Sequence, residues 1–320
     1  MRHIITGGSG FTGSVLTKRL LEKGQEVVNI DIREQPNVAL RKNVHFVHAD
    51  VTDSDTLKKL HLKEDDVVYH LAARQFADAV PKKSREEWFN EVNVCGTKAI
   101  VNEMKNTGCH KLVFFSTDMT YGIPTVCPVP PDHPQNPLGP YGNSKILAEK
   151  IIRGEHSIDA TIFRPRLITG PGRLGILGKL FKLIQHGIPV PMIGNGNNRY
   201  QMVSVEDCAL AAELAVDKNC PNMNFNLGSA TPPTTKELLN GVIKHAKSKS
   251  ILLPIPASLL KPVLATMDKI GLTLLYPEQF GIADKDVLLD TTLTYETLGW
   301  STTKSDIVAM SEAYDSFIRK

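Results

Sequence analysis

Residues Gly7-Gly8-Ser9-Gly10-Phe11-Thr12-Gly13 constrain this chain more than any other segment. The glycine run follows a short apolar stretch, His3-Ile4-Ile5-Thr6, and opens an amphipathic one. Gly7 permits a tight turn, Gly10 lets a ligand approach bare backbone, and Gly13 lets the following helix pack close to the strand. A helix starting there offers unsatisfied N–H groups and the positive end of its dipole, which together cradle phosphate. Strand, glycine turn and helix in that order form a dinucleotide-binding fingerprint.

Asp31 closes the second apolar run, near the offset of about 20 residues at which an acid meets the adenosine ribose. A carboxylate there accepts from ribose hydroxyls and repels a 2′-phosphate. NAD is therefore expected over NADP, with Arg33 close enough to soften the preference. Asp50, in Ala49-Asp50-Val51, has two readings: an acceptor for the adenine amino group or an exposed helix cap.

Periodicity extends the pattern. Strands are predicted at 3–6, 26–31, 44–49, 66–72, 111–116 and 161–164, and helices at 11–23, 85–107 and 141–153. Strands alternating with helices imply an α/β fold, a Rossmann-type doubly wound parallel sheet covered on both faces. Beyond residue 170 the signals are less regular. A helix at 205–216 precedes a strand-like 224–228. The expected division is a Rossmann domain over 1–170, to which 203–228 returns, and a smaller, interleaved substrate domain over most of 171–320.

Composition excludes several classes. A chain of 320 residues suits two domains of ~150, and net charge +3 without a basic stripe gives no reason to expect nucleic acid. The most apolar stretch, 251–277, is interrupted by Pro254, Pro256, Pro262, Lys261, Asp268 and Lys269. A spanning helix needs about 20 uninterrupted apolar residues, so no membrane partner is expected. Within that stretch Leu260, Val263, Leu264 and Met267 recur at helical spacing, a stripe read as core packing rather than ligand wall. The chain runs straight into its first strand without a signal peptide, which points to the cytoplasm. Cys95, Cys109, Cys127, Cys208 and Cys220 form no Cys-x-x-Cys and read as reduced structural thiols. No metal-ligand spacing is present, and no metal is expected. Seven of the 20 prolines fall in 124–140. That segment must be a stiff loop, either facing solvent or walling a substrate cleft.

Tyr141 and Lys145 are four residues apart and share a helix face. A free phenol, with a pKa near 10, is a poor acid/base at neutral pH. A neighbouring ammonium favours phenolate and lowers that value. The tyrosine can then exchange a proton with a hydroxyl while a nicotinamide carries hydride. Ser116-Thr117-Asp118 ends the fifth strand, at the carboxyl edge where ligands bind. Thr117 is the better hydroxyl to orient a reacting oxygen, and Asp118 either assists or caps the turn.

Taken together these residues resemble the extended short-chain dehydrogenase/reductases, the NAD-dependent epimerase/dehydratase group. The resemblance runs through Thr6–Gly13, Asp50, His70-Leu71-Ala72-Ala73, Asn93-Val94-Cys95-Gly96-Thr97 and Ser116 to Gly122. It continues through Tyr141 and Lys145, Arg164-Pro165, Val205-Glu206-Asp207 and Leu298-Gly299-Trp300. It implies a catalytic triad of Thr117, Tyr141 and Lys145. The cofactor contacts it implies are Gly7, Gly10, Phe11, Thr12, Asp31, Asp50, Val51, Leu71, Ala72, Ala73, Tyr141 and Lys145. Asp118, Met119, Arg166 and Arg199 are the substrate contacts. A homodimer through the helices at 85–107 and 141–153 is expected on the same ground.

Three departures refine the function. Dehydratases of the group carry Thr-Asp-Glu where this chain has Thr117-Asp118-Met119, and methionine cannot remove a proton. The asparagine that meets a diphosphate in many epimerases is replaced by Leu167. The phosphate arginine of a Gly-x-Gly-x-x-x-Arg pattern comes one residue early, as Arg199, with Arg166 and Arg173 as other sources of charge. The resemblance thus implies an epimerase or 4-keto reductase of a nucleotide sugar. The alternative is a dehydrogenase of an apolar secondary alcohol, of hydroxysteroid or flavonoid type. A non-catalytic dinucleotide sensor is opposed by the intact Thr117, Tyr141 and Lys145.

Overall fold

The structure is a computed structural model that describes residues 1–172 and 175–319. Its centre is a seven-stranded parallel sheet in the order β10-β6-β5-β4-β1-β2-β3. Six of its strands come from the first half: β1 (His3–Thr6), β2 (Val27–Asp31), β3 (His45–His48), β4 (Val67–His70), β5 (Lys111–Phe115) and β6 (Asp159–Pro165). Two paired strands follow outside the sheet, β7 (Leu167–Thr169) with β9 (Met202–Ser204), and β8 (Val190–Ile193) with β11 (Leu252–Ile255). The seventh sheet strand, β10 (Asn224–Leu227), adds to the β6 edge.

Helices of the first half are α1 (Phe11–Glu22), α2 (Val38–Arg41), α3 (Ser54–Lys58), α4 (Arg85–Asn90), α5 (Thr97–Thr107) and α6 (Pro140–Arg153). The second half adds α7 (Gly175–Gln185), α8 (Val205–Asp217), α9 (Thr235–His245), α10 (Ala257–Lys269), α11 (Pro277–Phe280), α12 (Thr292–Leu298) and α13 (Asp306–Ile318).

Alternation along each strand divides the sheet residues between two faces. Ile5, Tyr69, Val113 and Phe163 join a core built with α1 and α8. Ile4, Val68, Leu112 and Ile162 join the opposite core, built with α3, α5 and α6. α1 offers Leu16 and Leu20 to the small residues Cys208, Ala211, Ala212 and Ala215 of α8, which lets the helices approach closely. Arg19 and Lys23 fasten that contact to the nearly buried Glu213, each at 2.6 Å. A third core gathers Phe181, Ile184, Val190, Leu238, Val242 and Met310 on the far side of the cleft.

Several expectations change in detail. The single helix expected over 85–107 is two α-helices joined by a π-helical segment, Glu91–Gly96. The sixth strand extends beyond 161–164 at both ends. The proline-rich 124–140 packs beneath α6 and β10: Val129 accepts from Asn226 at 2.8 Å, and Gln135 donates to Glu149 at 2.9 Å. None of its residues lines the cleft, so the cleft-wall reading is corrected. The stripe on α10 is corrected too. Of Leu260, Val263, Leu264 and Met267 only Leu264 is buried, and Val263 is 54% exposed. Periodicity identified the helix there but carried no information on what covers its face. Among the described residues, no helix is long and apolar enough to cross a membrane.

Candidate active site

At the carboxyl ends of the strands lies a cleft of about 700 Å³. Its floor at one end is the glycine turn. Gly7 has φ +71°, and a Cβ on it would come within 2.7 Å of the Ala72 amide nitrogen. Gly10 caps α1 without a side chain, and the first turn of α1 contains no acid. The cradle is therefore bare backbone at a positive helix end, which fits a pyrophosphate. Gly7, Gly10, Phe11 and Thr12 all line it.

Asp31, Asp50, Val51, Leu71, Ala72 and Ala73 line the same arm. The Asp31 carboxylate accepts from the Ser9 and Arg33 amides, both at 3.0 Å, which fixes its aim across the turn. Asp50 accepts from the Thr52 amide at 2.9 Å. The helix cap in this region is Asp53, at the start of α3, so the helix-cap reading of Asp50 does not hold. NADP is expected to bind at least about tenfold more weakly than NAD, through repulsion of the 2′-phosphate by Asp31. Quenching of Trp88, which lines the cleft, measures both affinities. Equal affinities would contradict the role given to Asp31.

A relay of hydrogen bonds holds this arm to its neighbours. The Ala72 amide donates to Thr6 Oγ1 at 3.3 Å, and that hydroxyl contacts His70 Nδ1 at 2.7 Å. His70 Nε2 contacts Thr97 Oγ1 at 3.0 Å, and Thr97 donates to the Asn93 carbonyl at 2.7 Å. Since the one Thr97 proton goes to Asn93, Nε2 carries the imidazole proton and Nδ1 accepts from Thr6. Burial pulls the His70 pKa down to about 3, so the ring stays neutral. Asn93, in the π-helical segment, receives the Arg74 amide at 2.8 Å and donates to Ser144 at 2.9 Å. It ties the cofactor arm to α6, and π-helical segments recur at functional sites for such reasons.

The third group of site residues sits midway along the cleft. Thr117 follows β5 and caps a short 3₁₀ turn, Asp118–Thr120, by accepting from the Met119 amide at 3.3 Å. Tyr141 and Lys145 rise from the first turns of α6, and all three line the cleft. Lys145 Nζ donates to the Phe115 carbonyl at 2.8 Å and lies 4.7 Å from the centre of the Phe114 ring. Burial lowers its pKa to about 8, which still leaves an ammonium at neutral pH. The Tyr141 ring meets Phe76 edge-on, 5.2 Å between centroids, and Phe89 at a tilt, 5.4 Å away.

Four residues later on the same face, Glu149 accepts Arg164 Nε at 3.0 Å and Nη2 at 2.5 Å. Ser116 and Thr117 both line the cleft, but the Ser116 hydroxyl is committed to Glu149.

The predicted substrate residues separate. Asp118 and Arg166 form a buried ion pair on the cleft wall. Arg166 lies over the Tyr200 ring, 5.3 Å from its centre, and its Nε has no partner. Met119 also lines the cleft. Arg199 does not: it is exposed, its amide donates to Asp286, and it bridges to Thr234. Its place outside the cleft lining corrects the reading of Arg199 as a substrate contact. Arg173 lies outside the described residues.

Sequence reasoning missed Glu278. This buried carboxylate accepts the amides of Tyr141 at 3.0 Å and Gly142 at 3.1 Å. The available signal was a helix beginning at Gly139-Pro140 with no side chain of its own to cap it.

The model of the NAD dependent epimerase/dehydratase family matches residues 3–228. This chain belongs to that family. Membership brings NAD as the cofactor, and the cradle above fits it. The uncharacterized protein y4nG of Sinorhizobium fredii is 31% identical over 98% of this chain and 77% of its own length. A putative UDP-glucose 4-epimerase of Methanocaldococcus jannaschii is also 31% identical, over 76% of this chain and 81% of its own. In fold, this family member matches the UDP-glucose 4-epimerase of Thermotoga maritima, solved with UDP-glucose, at a TM-score of 0.81. That match covers 100% of this chain and 99% of the other at 23% identity.

Proposed function

We propose that this enzyme is an NAD-dependent epimerase or 4-keto reductase of a nucleotide sugar, with Tyr141 as its acid/base. The observation that carries the reading is the placement of Thr117, Tyr141 and Lys145 along one cleft with the glycine turn and Asp31. Bound NAD supplies a hydride acceptor and donor at that point. Tyr141 takes the proton from the substrate hydroxyl as the carbon is oxidised and returns it on reversal. The Lys145 ammonium favours the phenolate below pH ~8. Thr117 orients the reacting oxygen. The unpartnered Arg166 Nε is a donor placed for the substrate's polar end. Met119, where a dehydratase would need a base, disfavours elimination.

One observation favours a second reading, an apolar secondary alcohol. The cleft's distal wall carries Leu167, Leu177, Leu180, Val190, Met192 and Leu238, and Arg166 is already paired with Asp118.

Incubation with UDP-, dTDP-, GDP- and CDP-sugars separates these outcomes. Isomerised product without net change in nicotinamide absorbance identifies an epimerase. Stoichiometric loss of added NADH identifies a reductase. Failure of every nucleotide sugar to bind would overturn the first reading in favour of the second.

A further inference from the structure

Helix α6 carries the acid/base candidate in its first turn, where helices fray and where position is hardest to hold. Gly139 is its N-cap and contributes no capping oxygen. A Cβ on Gly139 would come within 2.4 Å of Glu278 Oε1. The missing side chain thus makes room for a carboxylate from 139 positions further along the chain. Glu278 fills the role of a cap, receiving the N–H groups of Tyr141 and Gly142.

The segment bearing Glu278 also grips the Tyr141 ring. Tyr276 stacks on Phe76 at 4.6 Å, and Phe76 meets Tyr141 edge-on at 5.2 Å. Arg85 lies over Tyr276 at 5.2 Å and makes a bidentate pair with Asp268, both bonds 2.8 Å. Next to Glu278, Gln279 lines the cleft, as do Ile282 and Ala283.

We propose that Glu278 is a positioning residue for Tyr141, capping α6 from a strap that also lines the distal part of the cleft. The proposal rests on the reading of Tyr141 as the acid/base. Glu278 does not line the cleft itself, so it acts through α6 and not on substrate. Its carboxylate has no ion-pair partner among the described residues; the charged groups packed around its segment pair with one another, Arg85 with Asp268 and Lys261, which also donates to the Gly281 carbonyl, with Asp284. Burial raises the Glu278 pKa to about 7, opposed by the two amides. Protonation as pH falls through 7 weakens the cap, because a neutral carboxyl is a poorer acceptor for two N–H groups.

The test uses NAD-loaded protein with ¹³Cζ-labelled tyrosine. The Tyr141 resonance is assigned by its loss in Tyr141→Phe. Glu278→Ala is expected to shift or broaden that resonance while leaving NAD affinity within about threefold. With the nucleotide sugar turned over in the panel above, kcat is expected to fall about 10- to 100-fold with little change in KM, the cost of a misplaced reacting group. Glu278→Gln keeps one acceptor oxygen but carries no charge at any pH, so it is expected to turn over at a rate between those of the alanine variant and the parent, without the acid-side fall near pH 7. Should the alanine variant not fold, Glu278→Asp gives the same comparison, because its carboxylate falls one methylene short. An unchanged Tyr141 resonance and kcat in a folded variant, with only the melting temperature lowered, would overturn the proposal. A Tyr141→Phe protein that keeps its turnover would instead sink the acid/base reading, while the resonance still reports on positioning.

Discussion

Tyr141→Phe is expected to lower kcat by about 10²- to 10⁴-fold, the usual contribution of a positioned acid/base group. The substitution keeps the ring and with it the contacts to Phe76 and Phe89. Nucleotide affinity and thermal stability should therefore stay close to those of the parent protein. On the proposed mechanism the effect is large because the phenol is the group that exchanges a proton with the reacting hydroxyl. Lys145 is turned toward the Phe115 carbonyl, and Thr117 holds the 3₁₀ turn at Met119. Steady-state turnover of the nucleotide sugar, together with NAD titration, checks both halves of the expectation. A rate within a few-fold of the parent would remove Tyr141 from the chemistry.

Glu149→Ala is expected to cost about 3–5 kcal/mol of stability, because it leaves a buried guanidinium without its counter-charge. Arg164 and Glu149 are 4% and 5% exposed as side chains. Arg164 also meets the Tyr121 hydroxyl at 3.0 Å and the Pro131 carbonyl at 2.7 Å, so it cannot swing to solvent without breaking the loop beneath α6. Loss of Glu149 further strips Ser116 and Gln135 of their acceptor. Urea unfolding followed by circular dichroism at pH 7 measures the change. A loss below ~1 kcal/mol, the range of a solvated surface pair, would contradict the reading of this network as a buried support for α6.

The contrast between these residues and Glu278 shows what a sequence can reveal. The glycine turn, Asp31 and the Tyr141–Lys145 pair are legible because their chemistry is local. A turn is followed by its own helix, and two residues four apart share a face. The parallel sheet was legible for the same reason, through alternating periodicities in the first 170 residues. Glu278 belongs to a different kind of information. It caps a helix 137 residues away from it in the chain, and nothing around Pro277 and Gln279 marks the residue between them. Only the uncapped start of α6 could have pointed to a remote partner.

Arg199 and the α10 stripe fail in the opposite direction. Both match a local pattern, but what surrounds Arg199 is set by Thr234 and Asp286, far along the chain. The stripe at Leu260–Met267 has helical spacing, and the packing of the second half leaves Val263 outside. Asp118 and Arg166 were each legible as cleft residues; their mutual neutralisation was not, since it depends on β5 and β6 lying side by side.

The central claim is reversible hydride transfer at the Tyr141 site, and isotope tracing tests it most directly. The nucleotide sugar turned over in the panel is prepared with deuterium at its reacting carbon and incubated with NAD-loaded protein. The account predicts deuterium retained at that carbon in the isomerised sugar, or captured on the nicotinamide ring, with none released to water. Isomerised product whose deuterium has exchanged with solvent would contradict it.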